Sequence, residues 1–165
     1  MAGVELHEMR GADYAEVHAL WRRCEGIGLS DSDSREAITA YLARNPGMSA
    51  VAREKDGRLV GAVLCGDDGR RGYLHHLAVS PDARGRGIGA LLLARCFERL
   101  GARGIDKCNI FLFGENEAGR EFWLHAGWKP RPDLGILQKL VRRSARPRVT
   151  PSPAPARSRS TRRAE

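Results

Sequence analysis

Three glycines at alternate positions, Gly85, Gly87 and Gly89, stand among Arg84, Arg86, Ile88 and Ala90, just before an apolar run at helical spacing that carries Leu92, Leu93, Cys96, Phe97 and Leu100. A glycine has no side chain to hold an anion away from the backbone, so several N–H groups of such a loop can converge on one negative group at the start of a helix. The helix dipole adds to that attraction. The chemistry these residues predict is the cradling of a diphosphate.

The carrier of that diphosphate follows from context. Gly85-x-Gly87-x-x-Ala90 has the spacing of a dinucleotide fingerprint, but that fingerprint follows the first strand of a parallel βαβ unit and is completed by an acidic residue at the end of the next strand. Here three or four strands precede the loop, Ser80-Pro81-Asp82-Ala83 intervenes, and the apolar stretch Cys108–Phe113 ends without a carboxylate. No lysine followed by Ser or Thr closes the loop, which also removes the nucleoside triphosphate reading.

Arg84-x-x-Gly87-x-Gly89-Ala90 resembles the Gln/Arg-x-x-Gly-x-Gly/Ala signature of the GNAT acetyltransferases, and Leu77-Ala78-Val79 resembles the strand just before it. Downstream, Asn116 followed by Phe122-Trp123-x-x-x-Gly127-Trp128 is similar to the family's Asn…Leu/Phe-Tyr-x-x-x-Gly-Phe segment. The resemblance spans about residues 3 to 141, in the family's order and spacing. It implies an α/β (α+β) GNAT fold, a mixed, mostly antiparallel sheet of six to seven strands splayed at the cofactor site and flanked by about four helices.

The resemblance also implies a ligand and a reaction. The cofactor is acetyl-coenzyme A, with no metal. Its pantetheine arm pairs with the backbone of Leu77 and Val79 beside Ala78; its diphosphate sits on Arg84, Gly85, Arg86, Gly87, Ile88, Gly89 and Ala90; Asn116, Phe122 and Trp123 lie near the same ligand. The Val79 N–H then polarises the thioester carbonyl, an oxyanion-hole role. The reaction is direct transfer to a primary amine, on a small molecule or a protein, within a ternary complex.

Direct transfer needs a neutral amine, hence a base with a pKa near neutrality. Alternate strand residues share a face. The resemblance implies that the face of Tyr73 looks onto the acceptor pocket, which puts His75 beside it as proton acceptor and His76 on the opposite face as a structural residue. Some arylalkylamine acetyltransferases are similar here, with histidines aligning with Tyr73 and His75. The chain departs from the family at Trp123, where many members carry a tyrosine that protonates the leaving thiolate. An indole N–H is not a usable acid. A thiolate of pKa about 8.5 leaves without strong help, and Tyr73 or water is the alternative donor.

These residues need elements to hold them. Val4–Met9 alternates like a strand, and Tyr14–Cys24 repeats Val17, Leu20, Trp21 and Cys24 at helical spacing. Asp33 and Glu36 have the spacing of a capping box for a second helix through Ile38, Tyr41 and Leu42, which Asn45-Pro46-Gly47 ends. Ser49–Arg53 and Leu59–Gly66 read as a hairpin about Asp56-Gly57, and Tyr73–Val79 follows as an antiparallel neighbour. After the glycine loop and its helix come the strand Cys108–Phe113, the helix Asn116–Ala126 and a last strand, Gly135–Val141. The resemblance makes the stretch from Glu25 to Ser34 an acceptor wall, whose acidic groups attract a cationic amine.

Composition bounds the rest. The 165 residues, 42% hydrophobic, suffice for one core, read as a domain over residues 1–143. Of the net charge of +8, residues 144–165 supply +5 on a Pro-, Ser- and Arg-rich stretch with almost nothing to bury, which reads as a disordered basic tail. Without a membrane-length apolar run or a signal-like N-terminus, the chain reads as cytoplasmic, with no membrane partner. The four cysteines form no Cys-x-x-Cys pair and read as buried thiols; Cys65 and Cys108, in apolar strands, suit a covalent route poorly. Two other readings stay open, a non-catalytic coenzyme A sensor and a nucleic-acid-binding protein acting through weak contacts of the tail. A homodimer stays open too.

Overall fold

The computed structural model describes residues 3–141; the basic tail expected at 144–165 lies outside the described residues. The chain divides into two units, Met1–Lys129 and Pro130–Glu165.

The first unit is a five-stranded sheet in the order β1-β2-β3-β4-β5, with strands β1 (Val4–Glu8), β2 (Ala50–Glu54), β3 (Leu59–Asp67), β4 (Gly72–Val79) and β5 (Cys108–Ile110). Helices α1 (Tyr14–Arg23) and α2 (Arg35–Arg44) lie between β1 and β2, α3 (Ile88–Ala102) between β4 and β5, and α4 (Glu117–His125) after β5. Neighbours from β1 to β4 are antiparallel; β4 and β5 run parallel, as the crossover through α3 requires.

The apolar spacing read from the sequence divides between the two faces of this sheet. Ile88, Leu92, Leu93, Cys96 and Leu100 of α3 pack on Ala50, Ala52, Val63, Cys65 and Leu74. Val17, Leu20 and Trp21 of α1 and Ile38 of α2 pack with Val51, Ala62, Leu64 and Ala78. Alternation along β2, with Val51 on one side and Ala50 and Ala52 on the other, is what lets one strand serve both layers. Phe97, expected on the buried face of α3, is 42% exposed and leans on Trp128 at a ring separation of 6.1 Å. Among the described residues no helix is long and apolar enough to cross a membrane.

Three expectations are corrected. The sheet has five strands rather than six or seven: Gly135–Val141 forms no strand, and Leu134, Ile136, Leu137, Leu140 and Val141 are each at least 63% exposed. An apolar alternation becomes a strand only where a neighbouring edge satisfies its N–H and C=O groups, and among the described residues this segment pairs with none. In the second unit, Arg131 instead pairs with Asp133 at 2.7 Å and closes a turn with Leu134. The strand expected at Cys108–Phe113 stops at Ile110 for the same reason, because β4 offers no partner beyond Leu74.

The third correction concerns Asp33. The N-cap of α2 is Ser34, whose hydroxyl accepts the N–H of Ala37, so Asp33 and Glu36 form no capping box there. Asp33 instead closes a 3-10 turn, Asp31–Asp33, and its Oδ2 accepts the Ser30 N–H at 2.8 Å.

Candidate active site

β4 and β5 pair only from Gly72 to Leu74 against Cys108 to Ile110. Beyond that point the strands part, and a cavity of about 720 Å³ opens between them. Its walls are β4 from Leu74 to Val79, the run Ile110–Phe113, the loop around Arg84–Ala90, the start of α4 and the segment Cys24–Gly28 after α1. The volume lies in the range of a small-molecule or cofactor pocket.

The glycine loop forms the end of this cavity where α3 begins. Gly85 and Gly87 have φ of +74° and +79°, a region that L side chains disfavour, and a β-carbon on either would meet nothing within 4 Å. The space a side chain would fill is open to a ligand. Ser34 and Asn116 cap α2 and α4 with their side chains, whereas α3 has no side-chain cap and no acidic residue in its first turn. Its positive end is uncompensated by the protein itself.

Of the residues expected to hold the ligand, Leu77, Ala78, Val79, Arg84, Gly85, Gly87, Ile88, Gly89, Ala90, Asn116, Phe122 and Trp123 all border the cavity, and so does His75. Arg86 and Tyr73 do not. The Arg86 guanidinium donates to Glu54 Oε1 at 2.6 Å, and Glu54 also accepts from Arg58, so Arg86 ties the loop to the end of β2. The Tyr73 hydroxyl donates to Asp68 Oδ2 at 3.3 Å in the β3–β4 turn. Arg84 stays at the cavity and donates through Nε to the Val79 carbonyl at 3.4 Å.

The histidines depart from simple alternation. Ala62 pairs with Ala78 and Leu64 with His75, so His76 and Leu77 together oppose the single residue Val63. This is a β-bulge on β4. His76 occupies it with φ of +51°, the one positive φ at a non-glycine among the described residues. The extra residue brings both rings to the side of α1 and α2: His75 lies 6.2 Å from Tyr41 of α2, and His76 4.9 Å from Trp21 of α1. His76 was expected on the opposite face, and the bulge is why it is not.

Burial pushes the His75 pKa below its ordinary value; a charge on His76 pushes the same way, and Asp33 offsets part of the shift. His76 donates from Nε2 to Asp33 Oδ1 at 2.7 Å, a direction fixed because a carboxylate only accepts. The hydrogen bond with Cys96, and then burial, raises the thiol pKa of Cys65, and burial raises that of Cys108 to about 12, which leaves neither a ready nucleophile.

Several residues at the site carry no local signal. Phe111 and Phe113, read as strand, leave the sheet and border the cavity at 57% and 60% exposure. Gly26 and Gly28 permit close approach: added β-carbons would stand 2.1 Å from Asn116 Nδ2 and 2.5 Å from the Phe113 ring.

Residues 14–128 match the Acetyltransferase (GNAT) family. The chain belongs to the GNAT acetyltransferases. An acetyltransferase of Sodalis glossinidius is 38% identical over 115 residues, covering 70% of this chain and 80% of that protein. One of Yersinia enterocolitica is 36% identical over 138 residues, covering 84% and 96%. The crystal structure of the PaiA N-acetyltransferase of Thermoplasma acidophilum, in complex with coenzyme A, aligns at a TM-score of 0.68 and 19% identity over 78% of this chain and 91% of that one. At that identity the likeness speaks for the fold.

Within this GNAT domain the parted strands β4 and β5 and the glycine loop face one another across the same cavity. Trp123 borders the cavity and packs edge-on against Trp128 at 5.0 Å and Phe122 at 5.2 Å. These matches lend no support to the sensor or the nucleic-acid reading.

Proposed function

We propose that this GNAT protein transfers an acetyl group from acetyl-coenzyme A to a primary amine by direct attack. The observation that carries the reading is the opening between β4 and β5, which leaves His75–Val79 of β4 without a β5 partner and ends at the uncapped start of α3. A backbone edge without a neighbouring strand suits the amide-bearing pantetheine arm, and an uncompensated helix N-terminus beside two left-handed glycines suits a diphosphate. The residues present therefore fit coenzyme A.

In this reading Arg84, Gly85, Gly87, Ile88, Gly89 and Ala90 hold the diphosphate, and the backbone of Leu77 and Val79 aligns the arm. Arg86 acts at one remove, by anchoring the loop to Glu54. Bound acetyl-coenzyme A supplies an activated acetyl group on a thiol leaving group. The Val79 N–H serves the carbonyl oxygen as charge develops on it. His75, kept neutral by burial, takes the proton of the acceptor ammonium directly or through water. Tyr73 is held at Asp68 and Trp123 has no acidic proton, so solvent is left to protonate the thiolate.

The acceptor enters beside Glu25, Phe111 and Phe113, where a carboxylate and two exposed aromatic rings suit an ammonium on an apolar body. The test is a panel of amines and peptides incubated with purified protein and acetyl-coenzyme A, with product mass read directly. A gain of one acetyl group on an amine is expected. Acetylation of none, together with no calorimetric binding of acetyl-coenzyme A, overturns the reading.

A further inference from the structure

Asp33 and His76 lie 43 positions apart, yet their side chains join the 3-10 turn Asp31–Asp33 to β4 at 2.7 Å. Their side chains are only 9% and 17% exposed. Both oxygens of the Asp33 carboxylate and both backbone carbonyls of the pair are engaged. Asp33 Oδ1 takes His76 Nε2, and Oδ2 takes the N–H and hydroxyl of Ser30 at 2.8 and 3.2 Å. The Asp33 carbonyl accepts the Tyr14 hydroxyl at 2.9 Å, and the His76 carbonyl accepts Trp21 Nε1 at 3.1 Å.

Two of these bonds, from Asp33 and from Trp21, hold the one described non-glycine residue with left-handed backbone, which also lies in the bulge. A positive φ is uncommon for any non-glycine residue, histidine included, and such residues gather where function needs an irregular backbone. The segment that follows, Leu77–Val79, is the one read above as the rail for the pantetheine arm. On the other side, Asp33 follows closely on Glu25–Gly28, which border the cavity opposite that rail. A pair that only stabilised the core would have no need to sit on the irregular residue.

We propose that Asp33 and His76 are positioning residues for acetyl-coenzyme A: the pair holds the β4 bulge so that the backbone of Leu77–Val79 faces the cavity, and ties it to the 3-10 turn that follows the cavity-bordering segment Cys24–Gly28. The inference rests on the acetyl-coenzyme A reading above. His76 touches no reacting atom in it. The side chain that matters is a hydrogen-bond donor to Asp33, whatever proton His75 moves.

The experiment is calorimetric titration of the full chain with acetyl-coenzyme A, for the wild type and for Asp33→Ala, His76→Gly, the double variant and His76→Gln, each checked for folding by circular dichroism. His76→Gly removes the pin while leaving the left-handed backbone free of strain, so a loss of affinity reports on the pin. Each of the first two variants is expected to raise Kd about tenfold, the factor carried by a lost hydrogen bond to a charged group. The double variant is expected to be no worse than either, because both remove the same contact. His76→Gln, whose amide still donates to Asp33, is expected to restore most of the affinity. Should Asp33→Ala fail to fold, the comparison of His76→Gly with His76→Gln decides alone. Folded variants that bind with wild-type Kd, or effects that add in the double variant, overturn the proposal and leave the acetyl-coenzyme A reading standing. A wild type that does not bind acetyl-coenzyme A overturns both.

Discussion

Gly26 and Asn116 meet so closely that a β-carbon on Gly26 would lie 2.1 Å from Asn116 Nδ2. Asn116 is not free to retreat, because its Oδ1 accepts the Gly119 N–H at 2.8 Å and caps α4. Gly26 in turn has φ of +77°. The wall before the 3-10 turn and the first turn of α4 are therefore fitted to one another through a missing side chain.

Gly26→Ala accordingly carries two penalties, about 1 kcal/mol for a left-handed alanine and about 1 kcal/mol for a displaced N-cap. For a domain of this size that lowers Tm by about 4–8 °C. Thermal unfolding followed by circular dichroism measures it, and an unchanged Tm contradicts the fit.

Gly87→Ala isolates the diphosphate loop. No atom lies within 4 Å of the added carbon, so the cost is conformational, about 1 kcal/mol, and the loop relaxes away from φ of +79°. Acetyl-coenzyme A binding weakens about tenfold as backbone N–H groups turn from the anion. Equal affinity of variant and wild type in calorimetry tells against the cradle.

The pH profile reports on His75. Burial first, then the neighbouring His76, disfavours its protonated form, so the neutral base persists to lower pH than an ordinary histidine of pKa 6.5 allows. The rate constant kcat/KM should hold level through neutrality and fall on the acid side with a midpoint below 6.5. His75→Gln should erase that limb and lower kcat/KM by about 10²-fold. A variant that keeps both the rate and the limb excludes His75 as the base.

Trp123→Phe tests the absence of an acid on α4. Since indole gives up no proton, the variant should retain kcat to within about one order of magnitude, whereas losing a working general acid costs about 10²–10⁴. Steady-state kinetics with an identified acceptor distinguishes the two.

The sequence made the glycine loop, the helix behind it and the hairpins legible, because their signals are local: Gly85 and Gly87 announce their own backbone, and α3 its own buried stripe. It also placed most of the cavity wall, through the order of strand, loop and helix around it. What it left out depends on pairing. Nothing in Tyr73–Val79 marks His76 as an extra residue, since a bulge is a property of two strands counted against each other. Asp33 reads as a cap because Glu36 follows at the right distance, yet its partner stands 43 positions away. The apolar residues of 135–141 have the alternation of a strand, and alternation cannot say whether an edge is there to receive it.

The inserted residue on β4 leaves the sheet's sidedness untouched. Leu74 on one flank and Leu77 and Val79 on the other all contact the α3 layer, so removing His76 would restore an unbroken alternation without turning any neighbour over. A chain one residue shorter at this point could complete every ladder and bury the same hydrocarbon. It would lack the irregularity beside which the strands come apart, and with it the partners of the Trp21 indole and the Asp33 carboxylate, so what this position supplies is polar contact and pocket shape rather than hydrocarbon.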